Sequence, residues 1–480
     1  MTLEQKATKG IVWSIAQKWG MQVISFVTFL LLSRLLEPKA FGLVAMATVF
    51  TAFIEIFMDQ GFSDAIVQRK DLEPEHLDTA FWTSVLSGIL LAGIAIAIAK
   101  PIAGLFQEPQ LVPVIMWLAL SLPIDALSST QKGILRREIA FKSLTIRSLA
   151  SAFVGGIVGV SMAFSGFGVW SLVTQTLVQS LVATLVLWRV SNWVPGFRFS
   201  KKHFHDLFSF GFNVVGIKIL EVVNRRFDDF LIGYFLGPIA LGYYTIAYRI
   251  ISVIFMLLTG VTTQVAFPTF SRMQHEPIRI RNAFYQVTQY TSLISFPIFL
   301  AVAALSPELV ALLFGAKWSA SVPIMQILSL IGILFSISYF NNSVIKATGQ
   351  PAWLFKIMLL NTICNVLGFL AVVRLGIVAV AGVLVAIGYL LYPTSLWLVH
   401  KLIKIDFKTY LLQFAAPLIS SAFMLIAIFA VKTIATEIEL PYRLFIYISI
   451  GFLSYVMMIL LTARTLIFKI LELARLAFQK

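Results

Sequence analysis

The chain has a single cysteine among its 480 residues, Cys364, so an intrachain disulfide and a cysteine-built metal site are both excluded. Charge is scarce as well, at 12% of residues, where soluble domains carry about 25%. No polar connection is long enough to fold as a domain of its own; the longest, around 63–77 and 190–205, are short charged segments. There is no Walker loop, so the chain carries no ATP-hydrolysing phosphate cradle. No hydrolase or kinase motif occurs either. His203 and His205 stand in a basic segment without matching ligands nearby in sequence, and no metal or other cofactor is expected. The first 33 residues begin basic and turn apolar, but no small-residue cleavage site follows. They read as an uncleaved first span.

What is present is apolar surface: 59% of residues are hydrophobic. Fourteen stretches are long enough to cross a bilayer, which takes about 20 residues each. They run over 11–33, 40–62, 78–99, 109–131, 143–165, 167–189, 206–235, 238–262, 284–306, 318–342, 351–373, 376–399, 409–431 and 442–463. The expected fold is therefore an all-α integral membrane bundle. The excess of base over acid, 37 against 22, fits basic cytoplasmic loops and gives no reason to invoke nucleic acid. With the N-terminus cytoplasmic, 25 Lys and Arg fall on its side, seven on the other and five inside spans. This bias places both termini in the cytoplasm.

The chain also repeats itself. Glu37-Pro38-Lys39-Ala40-Phe41-Gly42 matches Gly237-Pro238-Ile239-Ala240-Leu241-Gly242 at an offset of 200. Arg69 with Phe81-Trp82 corresponds to Arg272 with Phe284-Tyr285 at 203, and Gly166-Phe167-Gly168 to Gly376-Ile377-Val378 at 210. Six helices per repeat is an even number, so both copies insert the same way up, as parallel repeats do in some transporters. The expected organisation is an N-lobe over 1–200, a C-lobe over 201–405, two further helices over 406–463 and a basic amphipathic cytoplasmic tail over 464–480.

Chemistry is expected where charge lies inside a span, because each such charge costs at least about 2.5–3.5 kcal/mol. The seventh stretch holds Lys218, Glu221, Arg225, Arg226, Asp228 and Asp229. On a helix, Arg225 and Asp229 fall within about 20° of Lys218, and Glu221 about 60° away. Glu221–Arg225 and Arg225–Asp229 have the i,i+4 spacing of an ion-pair ladder. Lys218 and Arg226 have no such acid, which leaves a broad cationic surface for an anion. Lys18, at the repeat offset from Lys218, is a second candidate, and Arg249 a third. The acids Glu55, Asp59 and Asp125 are candidate charge partners or ion-coupling groups. Pro113, Pro123, Pro297, Pro323 and Pro393 suggest kinked spans, and Gly155, Gly156 and Gly159 suggest close helix packing.

The segments GIVWSIAQKWG (10–20), SRLLEPKAFGLVAMATVF (33–50), GFSDAIVQRKDL (61–72) and FLGPIALGYYTIAYR (235–249) resemble bacterial polysaccharide exporters. The resemblance covers nearly the whole chain and is to the colanic-acid and teichuronic-acid branch of lipid-linked oligosaccharide flippases, within the multidrug/oligosaccharidyl-lipid/polysaccharide superfamily. It implies two six-helix lobes around a central cavity, two additional helices, and alternating access. It also implies a non-enzymatic inner-membrane protein that moves undecaprenyl-diphosphate-linked oligosaccharide between leaflets. Partners would be that lipid, membrane lipids, and polymerase and export machinery. By position, Lys18, Lys218, Arg225, Arg226 and Arg249 match the basic residues thought to receive the diphosphate. An ion-coupled multidrug exporter of the same superfamily is the alternative, with an acidic cavity expected. A polysaccharide polymerase or glycosyltransferase would need a larger extracytoplasmic loop.

Overall fold

In the computed structural model the backbone is described for residues 3–59, 62–69, 71–259, 262–435, 437–464 and 466. Side chains are described for the same residues except 3–12, 15, 59, 207–215, 217, 259 and 262–265. The tail expected over 464–480 lies almost wholly outside the described residues, as does the side chain of Asp59. The described residues form helices and connecting turns, with no strand among them.

Contacts divide the chain into two compact units, residues 1–245 and 246–480. The first contains α1 (Leu3–Leu35), α2 (Pro38–Asp59), α3 (Phe62–Gln68), α4 (Pro74–Phe106), α5 (Leu111–Ala119), α6 (Ser121–Arg137), α7 (Phe141–Phe164), α8 (Val169–Val190) and most of α9 (Lys201–Thr259). The second contains the end of α9, then α10 (Thr262–Arg272), α11 (Pro277–Leu313), α12 (Val322–Ala347), α13 (Pro351–Val372), α14 (Ile377–Ile403), α15 (Phe407–Leu412), α16 (Ala415–Ile434) and α17 (Leu440–Thr462).

Twelve helical segments among the described residues are long and apolar enough to cross a membrane, against the fourteen stretches read from hydropathy. One difference is α9, in which the stretches 206–235 and 238–262 run together as one apolar segment, Lys218–Leu258. It is broken at Gly237, whose φ of 82° and ψ of 178° are non-helical and open to glycine because it lacks a Cβ. Pro238 then restarts the helix where its missing N–H is no loss. The other is α1, which spans 33 residues, although the side chains of its first turns are not described.

The order of elements recurs at the offset seen in the sequence. Short α3 follows α2 as short α10 follows the end of α9, and Pro74 and Pro277 open the long α4 and α11. Three of the expected kinks prove to be starts. Pro113 and Pro123 stand third in α5 and α6, and Pro323 second in α12, where first-turn N–H groups have no intrahelical acceptor. Pro297 and Pro393 lie inside their helices, as expected.

In the first unit α7 is wedged between α1 and α8 by small residues. A Cβ on Gly156 would come within 2.6 Å of Thr28 Oγ1, and one on Gly155 within 2.3 Å of Gln179 Cγ. Tighter still is the crossing of the starts of α2 and the Pro238 segment. A Cβ on Gly42 would lie 1.7 Å from the carbonyl oxygen of Pro238, and one on Gly242 2.1 Å from that of Pro38.

In the second unit α16 and α17 pack on α11 through Leu305, Met424, Ile428, Tyr447 and Tyr455. Lys432 on α16 pairs with Glu308 on α11 at 2.8 Å and donates to the Ala304 carbonyl at the same distance. Asp406 caps α15 by accepting from the Thr409 hydroxyl and N–H. These two bonds, the hydroxyl's first, hold its carboxyl below the usual carboxylate range.

Candidate functional site

The charged stretch of α9 is fixed in the first unit by aromatic packing. Phe230 meets Phe50 of α2 edge-on at 6.2 Å and Phe106 of α4 at 5.7 Å, and Tyr234 stacks on Phe230 at 6.3 Å. Two residues before Phe230, Asp228 is buried and its two oxygens accept from Tyr244 Oη at 2.8 Å and from the Asp229 N–H at 2.9 Å. Tyr244 lies beyond the Gly237 break, so this bond folds the restarted helix back onto the charged stretch.

Arg226 pairs with Asp229 at 3.1 Å, with 41% of the arginine side chain still exposed. This differs from the expected ladder, in which Asp229 would hold Arg225. The reason is angular: Asp229 is three residues from Arg226, Asp228 is turned to Tyr244, and the Arg225 side chain is left on the exposed face. Glu221 is exposed as well and does not bridge to Arg225. Lys218, half-buried, and Lys18, exposed, form no ion pair with another described residue, and neither does Arg225. The structure brings no contact between Lys18 and Lys218. Arg249 falls in the second unit, with its guanidinium Nε buried.

Two of the candidate acids lie within electrostatic range of Arg226 or of each other. Glu55 on α2 senses both Asp125 on α6 and Arg226 on α9. Asp125 accepts from Ser180 of α8 at 3.1 Å and faces Arg147 of α7. Arg147 is not among the site residues expected from the sequence, where it counts only as one of the bases on the cytoplasmic side. Folding brings it instead to the Asp125 side of this cluster, at a depth its position near the start of α7 did not announce. Next to it Ser148 accepts from Gln17 of α1 at 2.7 Å. Four carboxylates and two guanidiniums from α2, α6, α7 and α9 thus occupy one polar region of the first unit, with Lys218 and Arg225 on the same helix as Arg226. Guanidinium and ammonium groups left without acids bind phosphate and carboxylate, the former in a bidentate fork.

A second polar cluster was not foreseen. His203 lacks partners in its own segment, yet the start of α9 meets the start of α4. There His76 and His203 stack with ring centres 4.0 Å apart, and Glu73 comes within 3.1 Å of His203 Nε2. The three residues are 127 or more positions apart in part, and only the fold could reveal them.

A family model described as polysaccharide biosynthesis protein matches residues 31–323. The chain belongs to this family. Among its relatives is the teichuronic acid biosynthesis protein of Bacillus subtilis, 28% identical over 95% of this chain and 96% of its own. The succinoglycan biosynthesis transport protein of Rhizobium meliloti is also 28% identical, over 98% and 95%. Among solved structures, a lipid II flippase in an inward closed conformation superposes with a TM-score of 0.79 over 95% of this chain and all of its own, at 16% identity. A multidrug resistance MATE transporter, inward-facing, gives 0.62 over 80% and 96%, also at 16% identity. The chain thus shares the all-α fold of these two structures and is a multi-pass membrane protein.

Proposed function

We propose that the chain is a flippase that carries lipid-linked oligosaccharide repeat units, on undecaprenyl diphosphate, from the cytoplasmic to the outer leaflet of the inner membrane. The observation that carries the reading is the set of cations Lys218, Arg225 and half-exposed Arg226 on a membrane-crossing helix of a polysaccharide biosynthesis protein. A diphosphate head group crosses hydrocarbon only if its charge is met on the way, and intramembrane cations meet that need, Lys218 and Arg225 having no ion pair with another described residue. Relatives named for teichuronic acid, succinoglycan and lipopolysaccharide biosynthesis support the substrate class. In this reading Lys18, Lys218, Arg225 and Arg226 receive the anionic head group. Glu55, Asp125 and Asp229 hold the arginines in place, and the protein moves its cargo by alternating access without covalent chemistry. Both termini are cytoplasmic, and a polymerase and export machinery take up the product.

The test is to remove the protein and measure which lipid-linked saccharide accumulates in the inner leaflet, then to restore it as Lys218→Ala or Arg225→Ala. The expected result is accumulation without the protein and no rescue by either variant, although both reach the membrane folded. Normal export by both variants refutes the site. The neighbouring carboxylates Glu55 and Asp125 favour a second reading, an ion-coupled exporter of cationic compounds. It is supported if no saccharide accumulates and drug resistance falls.

A further inference from the structure

We propose that Glu73, His76 and His203 form a binding site for a divalent transition metal, with zinc as the natural candidate, at the junction of the starts of α4 and α9. One donor atom from each of the three lies within 4.8 Å of the others. Both rings are more than nine-tenths buried, and His76 Nε2 and His203 Nδ1 have no hydrogen-bond partner. Buried imidazole nitrogens left unpaired are unfavourable unless something else supplies the partner. Two such nitrogens beside carboxylates are what a metal ion completes.

The surroundings fit ligation. Glu73 Oε2 lies 3.1 Å from His203 Nε2, and Glu75 Oε2 lies 3.7 Å from its Nδ1. With Nε2 and Glu73 on the metal, Nδ1 faces Glu75, and an imidazole held through its second nitrogen by a carboxylate is the usual arrangement of a metal-bound histidine. His76 Nδ1 accepts a long bond, 3.2 Å, from the Glu73 N–H, and its Nε2 is 4.0 Å from Asp206. Turning a nitrogen of His76 onto the metal gives up that one long bond.

Charge fits too. Arg69, a charge felt by His76, is already held by Asp206 at 3.1 Å, and a dication would neutralise Glu73 and Glu75. These two side chains are 62% and 46% exposed and form a wet mouth over the buried rings, through which an ion can enter. Two imidazoles with carboxylate select zinc and its neighbours over calcium and magnesium, which take oxygen ligands.

The site would fasten a segment that is already anchored. Between α8 and α9 the chain is tied to α4 where Gly196 N–H donates to Asp78 at 2.9 Å and Trp82 Nε1 donates to the Gly196 carbonyl at 2.8 Å. A metal joining residues 73–76 to 203 adds a clip to the entry of α9, the helix that carries the charged stretch.

The experiment uses the full chain purified in detergent and stripped of metal with a chelator. Zinc is titrated in competition with a chromophoric chelator, and cobalt(II) is added separately to read its ligand-field absorption. The expected result is one ion per chain. His203→Ala and Glu73→Gln should each weaken binding at least about tenfold and alter the cobalt spectrum, while His205→Ala, an exposed neighbour, should leave both unchanged. Absence of stoichiometric uptake by the unaltered chain overturns the proposal, as does uptake that survives both His203→Ala and Glu73→Gln. Since unaltered protein alone can give the refuting result, a variant that fails to fold does not protect the idea.

Discussion

Replacing Tyr244 with phenylalanine is the sharpest probe of how the charged stretch of α9 is held. The ring is 1% exposed and its hydroxyl donates to Asp228 Oδ2 at 2.8 Å. Phenylalanine keeps the ring and its packing, so the perturbation is one lost donor on a buried carboxylate. Asp228, 7% exposed, would keep only backbone bonds, that from the Asp229 N–H among them. A hydrogen bond to a charged group contributes about 1.5–3 kcal/mol, and an acceptor left buried without it loses that order of stability. Tyr244→Phe should therefore lower the unfolding free energy in mixed micelles by about 2 kcal/mol, a change of roughly 30-fold in the folded-to-unfolded ratio. Asp228→Asn removes the charge that makes the loss large, so the double variant should lose less than the two single losses added together. A Tyr244→Phe protein within about 0.5 kcal/mol of the parent, or strictly additive losses, would refute the claim that this bond ties the restarted helix to the charged stretch.

Other perturbations follow from the same geometry. Lys432→Met leaves Glu308, 12% exposed, without its cation and should destabilise the second unit by on the order of 3 kcal/mol; Lys432→Met with Glu308→Gln should recover much of this, read by denaturant unfolding. Gly42→Ala and Gly242→Ala each force a Cβ into a proline carbonyl and should cost about 1–3 kcal/mol or more, measured by the yield of folded protein and its unfolding midpoint. A yield and midpoint equal to the parent's would show that the crossing is looser than described. For Asp406, whose folded carboxyl titrates below its unfolded value, the cap is present at neutral pH and is lost as pH falls through that lowered range. Asp406→Ala should remove the acid-dependent step from amide exchange at α15, and an unchanged step would assign it elsewhere.

Much of the architecture was legible in the sequence because membrane helices announce themselves one at a time. Apolar length decides each span, and Glu37-Pro38 and Gly237-Pro238 mark turns through residue chemistry that needs no knowledge of neighbours. Breaks inside a span were harder. Leu120 divides α5 from α6, and Pro123 looks like a kink until the structure shows that a helix starts there. The site was legible at the level of the helix and not of the pair. Lys218 to Asp229 stand out by cost alone, but angular spacing suggested Arg225–Asp229 where the fold makes Arg226–Asp229. That choice depends on Tyr244 drawing Asp228 away, a contact made across the helix break. Arg147 and the His76–His203 pair were missed for a related reason: their partners come from other helices, and a single sequence carries no trace of who meets whom.

The crossing of Gly42 and Gly242 has a consequence for how such a chain could arise. Shifted by the offset of 200, position 38 of one repeat meets position 42 of the other, and 42 meets 38 in return. That reciprocity is the signature of an isologous contact, the kind two identical subunits make about a twofold axis. It is self-complementary, so it could have joined two separate copies of a half-length ancestor before any fusion linked them. In the present chain glycine stands at both ends of the contact, where a Cβ would meet a proline carbonyl. Each is confined by the other's proline, so neither side of the crossing can grow alone.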